Sequence, residues 1–120
     1  MFRPAASWRT AEIAFAGRGL PIVRTAALRE CDYGELTRGP LRDAARYVTE
    51  RYPGGESYAG VALRVRAFLE GLRSLPNGQV ILIIGHRAVH YALEHLLGGA
   101  DLACAVSAEW RWQPGWRYVL

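Results

Sequence analysis

Lysine is absent from this 120-residue chain; all fifteen basic residues are arginine. GC-rich coding explains that bias without invoking a partner. The arginines are spread along the chain, with no dense run and none of the clustered stripe by which nucleic-acid binders are recognised. A net charge of +4 fits an anionic substrate, or no partner, equally well. Cysteine is scarce: Cys31 and Cys104 lie far apart and match no metal-ligand spacing. No apolar run approaches the roughly 18 residues needed to span a bilayer, so no membrane partner is expected. Met1 to Ser7 carries no basic region followed by an apolar stretch, so no secretory signal is visible there. These absences together predict a soluble, cytoplasmic chain with free thiols. The length predicts one domain, and a 51% apolar fraction is ample for its core.

Against this background one stretch stands out, Val80-Ile81-Leu82-Ile83-Ile84-Gly85-His86-Arg87. Five consecutive branched apolar residues read as a strand buried on both faces, as in parallel sheets. Gly85 turns the chain, and the amphipathic run Ala88 to Leu97 reads as a helix. His86 therefore falls where a buried strand hands over to a helix N-terminus. Open α/β sheets bind ligands there, and free backbone N–H groups and the helix dipole favour an anion.

Elsewhere, Ala11 to Ala16 reads as the end of a short helix closed by Gly17 and Gly19. Leu20 to Thr25 reads as a strand, and Leu28 to Pro40 as a charged, glycine-bearing loop. Leu41 to Arg51 reads as a short helix, broken by Tyr52-Pro53-Gly54-Gly55-Glu56-Ser57. Ser57 is a suitable N-cap for the clearest helix, Tyr58 to Leu75. There Val61, Val65, Phe68 and Leu72 make one apolar face, and Arg64, Glu70 and Arg73 lie mostly off it. Near the end, Trp110 and Trp112 alternate with polar residues, Gln113-Pro114-Gly115 turns, and Trp116, Tyr118 and Leu120 alternate again. That pattern predicts an antiparallel hairpin. The order of elements predicts the α/β class: a mostly parallel sheet flanked by helices, with an antiparallel edge.

Among residues able to carry chemistry, His86 leads. Arg87 beside it reads as a phosphate ligand or as a solvent-facing charge in a first helical turn. Glu30, in Leu28-Arg29-Glu30-Cys31-Asp32-Tyr33-Gly34, reads as a general acid or as a solvated loop carboxylate. His86 and His90 have metal-ligand spacing, but His86 sits at the turn and no third ligand has a useful spacing, so no metal site is expected. His90 and Glu94, one helical turn apart, read as a surface pair. There is no Gly-x-Ser-x-Gly elbow, no Walker-type phosphate loop, and no base beside either cysteine.

Four segments in order resemble the histidine phosphatase superfamily, also called phosphoglycerate mutase-like. Thr10-Ala11-Glu12-Ile13-Ala14 resembles the end of its first helix. Leu28-Arg29-Glu30 with Tyr33-Gly34 resembles its acidic loop. Pro53-Gly54-Gly55-Glu56-Ser57 resembles the element before its long helix, and Val80 to His86 the strand bearing its second histidine. The resemblance runs from about Thr10 to the C-terminus. It implies a partial three-layer fold and phosphomonoester hydrolysis or phosphoryl transfer. His86 would be the histidine that steadies the transferring group, Glu30 the proton donor, Arg87 a phosphate ligand and Tyr33 part of the substrate pocket, with no cofactor and a phosphorylated small molecule or anion as partner. The attacking histidine of such proteins lies in an Arg-His-Gly motif, and that motif is absent; Ala6 stands where a second arginine would, and Met1 to Trp8 shows no likeness.

Little or no phosphatase activity is therefore expected of these 120 residues. The absent segment would supply both neighbours of the Val80–Ile84 strand, and an unpaired apolar edge invites another chain. Three outcomes follow: the strands re-pair, the chain forms a homodimer (a strand-swapped one included), or the sequence is a piece of a longer protein. As a non-catalytic dimer it would keep an anion site at Gly85-His86-Arg87. Binding of single-stranded nucleic acid through Arg111, Trp112, Trp116 and Arg117 ranks last, because the charge is diffuse.

Overall fold

The computed structural model describes residues 5–37 and 43–120. Among the described residues four α-helices carry the architecture: α1 (Ala5–Phe15), α2 (Tyr58–Leu72), α3 (Arg87–Leu96) and α4 (Leu102–Ser107). Single 3-10 turns form at Ala26–Leu28, Gly34–Leu36 and Ala44–Val48.

Helix α2 begins where Ser57, in extended conformation, accepts the Gly60 N–H on its hydroxyl at 3.0 Å. This satisfies one of the orphan donors of the first turn. Val61, Val65 and Leu69 then recur on one face and are buried. Helix α3 presents Ala88, Val89, Ala92 and Leu93 to them, all buried. Two alanines among the four let the helices approach closely. Helix α4, capped by Asp101 on the Cys104 N–H, adds Leu102 and Val106 to the same cluster. Tyr47, Tyr52 and Tyr58 belong to the same cluster.

The parallel sheet expected from the sequence does not form: the described residues contain no strand. Residues 79–85 follow a non-helical course without a ladder. Val80 is 99% exposed and Leu82 65%, while only Ile83 packs against the core. The run Leu20 to Thr25 is likewise unpaired, with Val23 83% exposed. The physical reason is that apolar content favours burial, but a strand exists only by hydrogen bonding to a neighbour. No described segment supplies one to Val80–Ile84. The α/β class and the partial three-layer, phosphoglycerate mutase-like arrangement are therefore corrected to a helical packing with extended connections.

The C-terminal hairpin is corrected as well. The chain does bend at Pro114, and Trp110 and Trp116 meet with ring centres 5.6 Å apart. No ladder joins the two arms, because these rings turn onto His90 of α3 instead. The helix expected over Leu41 to Arg51 is only the 3-10 turn Ala44–Val48 within the described residues; Leu41 and Arg42 lie outside them.

Two backbones run against each other where the site will be built. The Glu35 N–H donates to Pro53 O at 2.8 Å, and the Glu56 N–H to Asp32 O at 2.8 Å. Gly34, at φ +54°, and Gly55 stand at this crossing. A Cβ on Gly34 would overlap the Pro53 carbonyl; one on Gly55 would overlap the Asp32 carbonyl and lie 2.8 Å from Gly34 N. The obstacles are backbone atoms and cannot rotate away. Gly55→Ala is therefore expected to cost about 1–3 kcal/mol or more, as overpacking does. Gly71→Ala, where a Cβ meets nothing within 4 Å on α2, should stabilise by about 0.5 kcal/mol through helix propensity. Urea unfolding of the two variants checks the pair.

Candidate functional site

Arg64 is the residue around which this region is built. Its Nε and Nη2 donate to the two carboxylate oxygens of Glu56, each at 3.1 Å, in a forked pair. Nη1 donates to Ala27 O at 2.7 Å and Arg29 O at 2.9 Å, and Nη2 also reaches Glu30 O at 3.1 Å. Glu56 accepts the Asp32 N–H at 3.0 Å as well. Burial alone would push the Glu56 carboxyl upward, but the Arg64 fork and the Asp32 N–H hold it below its ordinary value. One guanidinium thus fastens the loop 27–32 to the first turns of α2. Sequence reasoning placed Arg64 off the apolar face and gave it no role; most of its partners are backbone carbonyls, which leave no residue-type signature.

The loop so held delivers Glu30. Its Oε1 accepts the Cys31 N–H at 2.8 Å and, 58 residues along the chain, the Ala88 N–H of α3 at 3.2 Å. His86 occupies the N-cap position of α3 in extended conformation, and its side chain makes no capping bond. Glu30 does the capping instead, a carboxylate at the positive end of a helix dipole. The structure thus brings Glu30 to the N-terminal turn that His86 and Arg87 begin. Arg87 is exposed, its guanidinium carbon 4.4 Å from the ring centre of Trp110. It is held by an aromatic face rather than loose in solvent.

Tyr33 joins a tyrosine cluster. It meets Tyr52 edge-on at 5.1 Å and Tyr58 at 6.4 Å, and Tyr52 stacks on Tyr47 at 4.0 Å. The Tyr52 and Tyr58 hydroxyls are hydrogen-bonded at 3.0 Å. Burial, and after it the Glu30 charge, raises the Tyr33 phenol above its ordinary range. It remains a neutral hydroxyl near the acidic loop.

His90 departs from the surface pair expected with Glu94. It is partly buried, with Trp116 at 4.3 Å and Trp110 edge-on at 5.6 Å. The Tyr118 hydroxyl lies 3.3 Å from His90 Nδ1 and donates a short hydrogen bond to Glu94 Oε1, bridging the two. Burial lowers the His90 pKa, and the Glu94 charge only partly opposes this. His95 turns away to the Ala100 carbonyl at 2.8 Å. No group of three or more His, Cys, Asp or Glu residues among the described residues is placed to hold a metal ion, and no helix among them is long and apolar enough to cross a membrane.

The structure brings an acidic loop against a helix N-terminus that bears a histidine and an arginine, and comparison with known proteins gives the family. The family model of the histidine phosphatase superfamily (branch 1) matches residues 5–109. The chain belongs to that superfamily. It is also similar to a protein of Bacillus subtilis (strain 168) named uncharacterized phosphatase PhoE, 32% identical over 93 residues, which are 76% of this chain and 48% of that protein. The chain therefore spans about half the length of the curated relative it matches.

The buried thiol within this site bears on what it can do. Cys31 is fully buried, and burial, followed by the charges of Glu56 and Glu30, pushes its pKa up to about 12. Such a thiol is a poor nucleophile. Cys104 is exposed. A disulfide-exchange thiol reagent at pH 8 should label Cys104 rapidly in the folded protein and Cys31 only after unfolding in urea. Equal rates for both thiols in the folded state would contradict the geometry of the Glu30 loop.

Proposed function

We propose that the N-terminal turn of α3 and the Glu30 loop form the phosphate-handling side of a histidine phosphatase site. The observation that carries this reading is the Glu30 carboxylate resting on the Ala88 N–H, one residue beyond Arg87. In this reading His86 and Arg87 take the oxygens of a phosphomonoester, with the helix N-terminus supplying further positive potential. Both hydrogen bonds described for the Glu30 carboxylate use Oε1. Oε2 is the oxygen that would carry a proton to a leaving alcohol. Tyr33, neutral and beside the loop, would line the mouth of the site.

The 120 residues contain no Arg-His-Gly, so this chain is expected to bind phosphomonoesters without appreciable turnover. A second reading is a non-catalytic homodimer, with the exposed Val80 and Leu82 pairing against a second copy and the anion site retained. The single protocol is amide NMR with inorganic phosphate, a colorimetric phosphatase assay, and sedimentation at micromolar concentration. Expected are phosphate-induced shifts at residues 86–88, lost in Arg87→Ala, with phosphate release at the blank rate. Turnover abolished by His86→Ala would overturn the inactivity, absence of shifts would overturn the site, and a clean monomer would remove the second reading.

A further inference from the structure

We propose that the C-terminal segment is a strap that positions Arg87 for phosphate, with Trp110 as the positioning residue and Tyr118 as the latch. This inference rests on the phosphate site proposed above and adds to it residues that never touch the phosphate.

Arg87, His90 and Glu94 are spaced by three and four along α3, so they share one face of the helix. The C-terminal segment meets them in the same order. The ring of Trp110 holds the Arg87 guanidinium carbon at 4.4 Å. Trp116 lies against His90 at 4.3 Å, and the Tyr118 hydroxyl donates to the Glu94 carboxylate. Trp110 and Trp116 meet with ring centres 5.6 Å apart, and Trp110 also meets His90 edge-on. The contacts therefore run unbroken from Glu94 to Arg87, along the ~10 Å that seven residues of helix span. Burial, then the bond to Glu94, keeps the Tyr118 phenol protonated well above its ordinary range, so the latch keeps its donor.

What this does for Arg87 follows from the guanidinium. An exposed arginine in a first helical turn loses rotamer freedom when it takes a phosphate. A ring that already holds the guanidinium by its face removes part of that loss. Stacking also leaves the in-plane N–H donors free. Among the described residues no carboxylate pairs with Arg87, so Trp110 orders the side chain without occupying its donors. A carboxylate in that role would have to be displaced by each phosphate that binds.

The experiment measures inorganic phosphate binding by calorimetry at fixed pH and ionic strength, and follows the Arg87 Nε–H signal by NMR. In the unmodified chain that signal should be displaced by the Trp110 ring. Trp110→Leu should weaken phosphate binding about three- to fivefold, the worth of an exposed cation–π contact, and return the signal to the position of a free arginine. Trp110→Tyr should restore most of both. Tyr118→Phe, which keeps the ring and loses the latch, should weaken binding in the same direction while the Ala92 and Leu93 amides keep their shifts. In an Arg87→Lys background, where the charge remains and the planar stacking group is gone, Trp110→Leu should cost less than about twofold. A full three- to fivefold loss in that background would mean that Trp110 acts on the fold and not through Arg87, and would overturn the positioning role. Unchanged affinity in Trp110→Leu would overturn it too, and unchanged affinity in Tyr118→Phe would overturn the latch. Absence of phosphate binding to the unmodified chain, with the Arg87 signal still displaced, would overturn the phosphate site itself and this inference with it.

Discussion

The interaction on which the rest depends is the Arg64 guanidinium spread between the Glu56 carboxylate and the carbonyls of Ala27, Arg29 and Glu30. The side chains of Arg64 and Glu56 are 18% and 20% exposed. Pairs this shielded lose little to screening, and a forked guanidinium–carboxylate pair holds direction as well as charge. Removing either partner leaves part-buried acceptors or a charge without a mate, at a cost well beyond that of an exposed pair. The exposed Arg46–Glu50 and Arg73–Glu70 pairs carry no comparable weight.

From this clamp the site follows in order. The carbonyls held by Arg64 fix the loop, and the loop meets the Pro53–Ser57 element at a backbone crossing that only glycine permits at 34 and 55. The crossing seats Cys31 in the core and aims Glu30 at α3. Helix α3 is itself located by packing on α2 through Ala88, Val89, Ala92 and Leu93. Its N-terminus is thus set by hydrophobic packing on one side and by a carboxylate on the other. The aromatic C-terminal segment then folds onto α3 through His90, Glu94 and Arg87.

Much of this was legible in the chain. Val61, Val65 and Phe68 with Ser57 before them announce α2, and Gly85-His86-Arg87 before an amphipathic run announces α3. The acidic loop and the Pro-Gly-Gly-Glu-Ser element were readable as motifs, and the structure adds that they touch. The sheet was not legible correctly, because Val80–Ile84 records a preference for burial and says nothing of a partner backbone. The 3.6-residue period of a helix is satisfied within one segment, whereas a ladder needs two. Helix α4 was passed over: six residues are too few for a periodic signal, and Asp101 was its one mark. Arg64 escaped because most of its partners are backbone carbonyls, and the tilt of Trp110 and Trp116 onto His90 escaped because strict alternation resembles a hairpin.

The central claim is that Arg64 sets Glu30 against α3, and amide hydrogen exchange of Arg64→Met tests it most directly. Ala88 and Cys31 are the two amides that Glu30 holds, while Val65 and Leu69 report α2 itself. Ala88 and Cys31 should lose protection by about tenfold or more, as the loss of a charge-assisted hydrogen bond would give, with Val65 and Leu69 still protected. Unchanged protection at Ala88 and Cys31 in a folded Arg64→Met protein would contradict it.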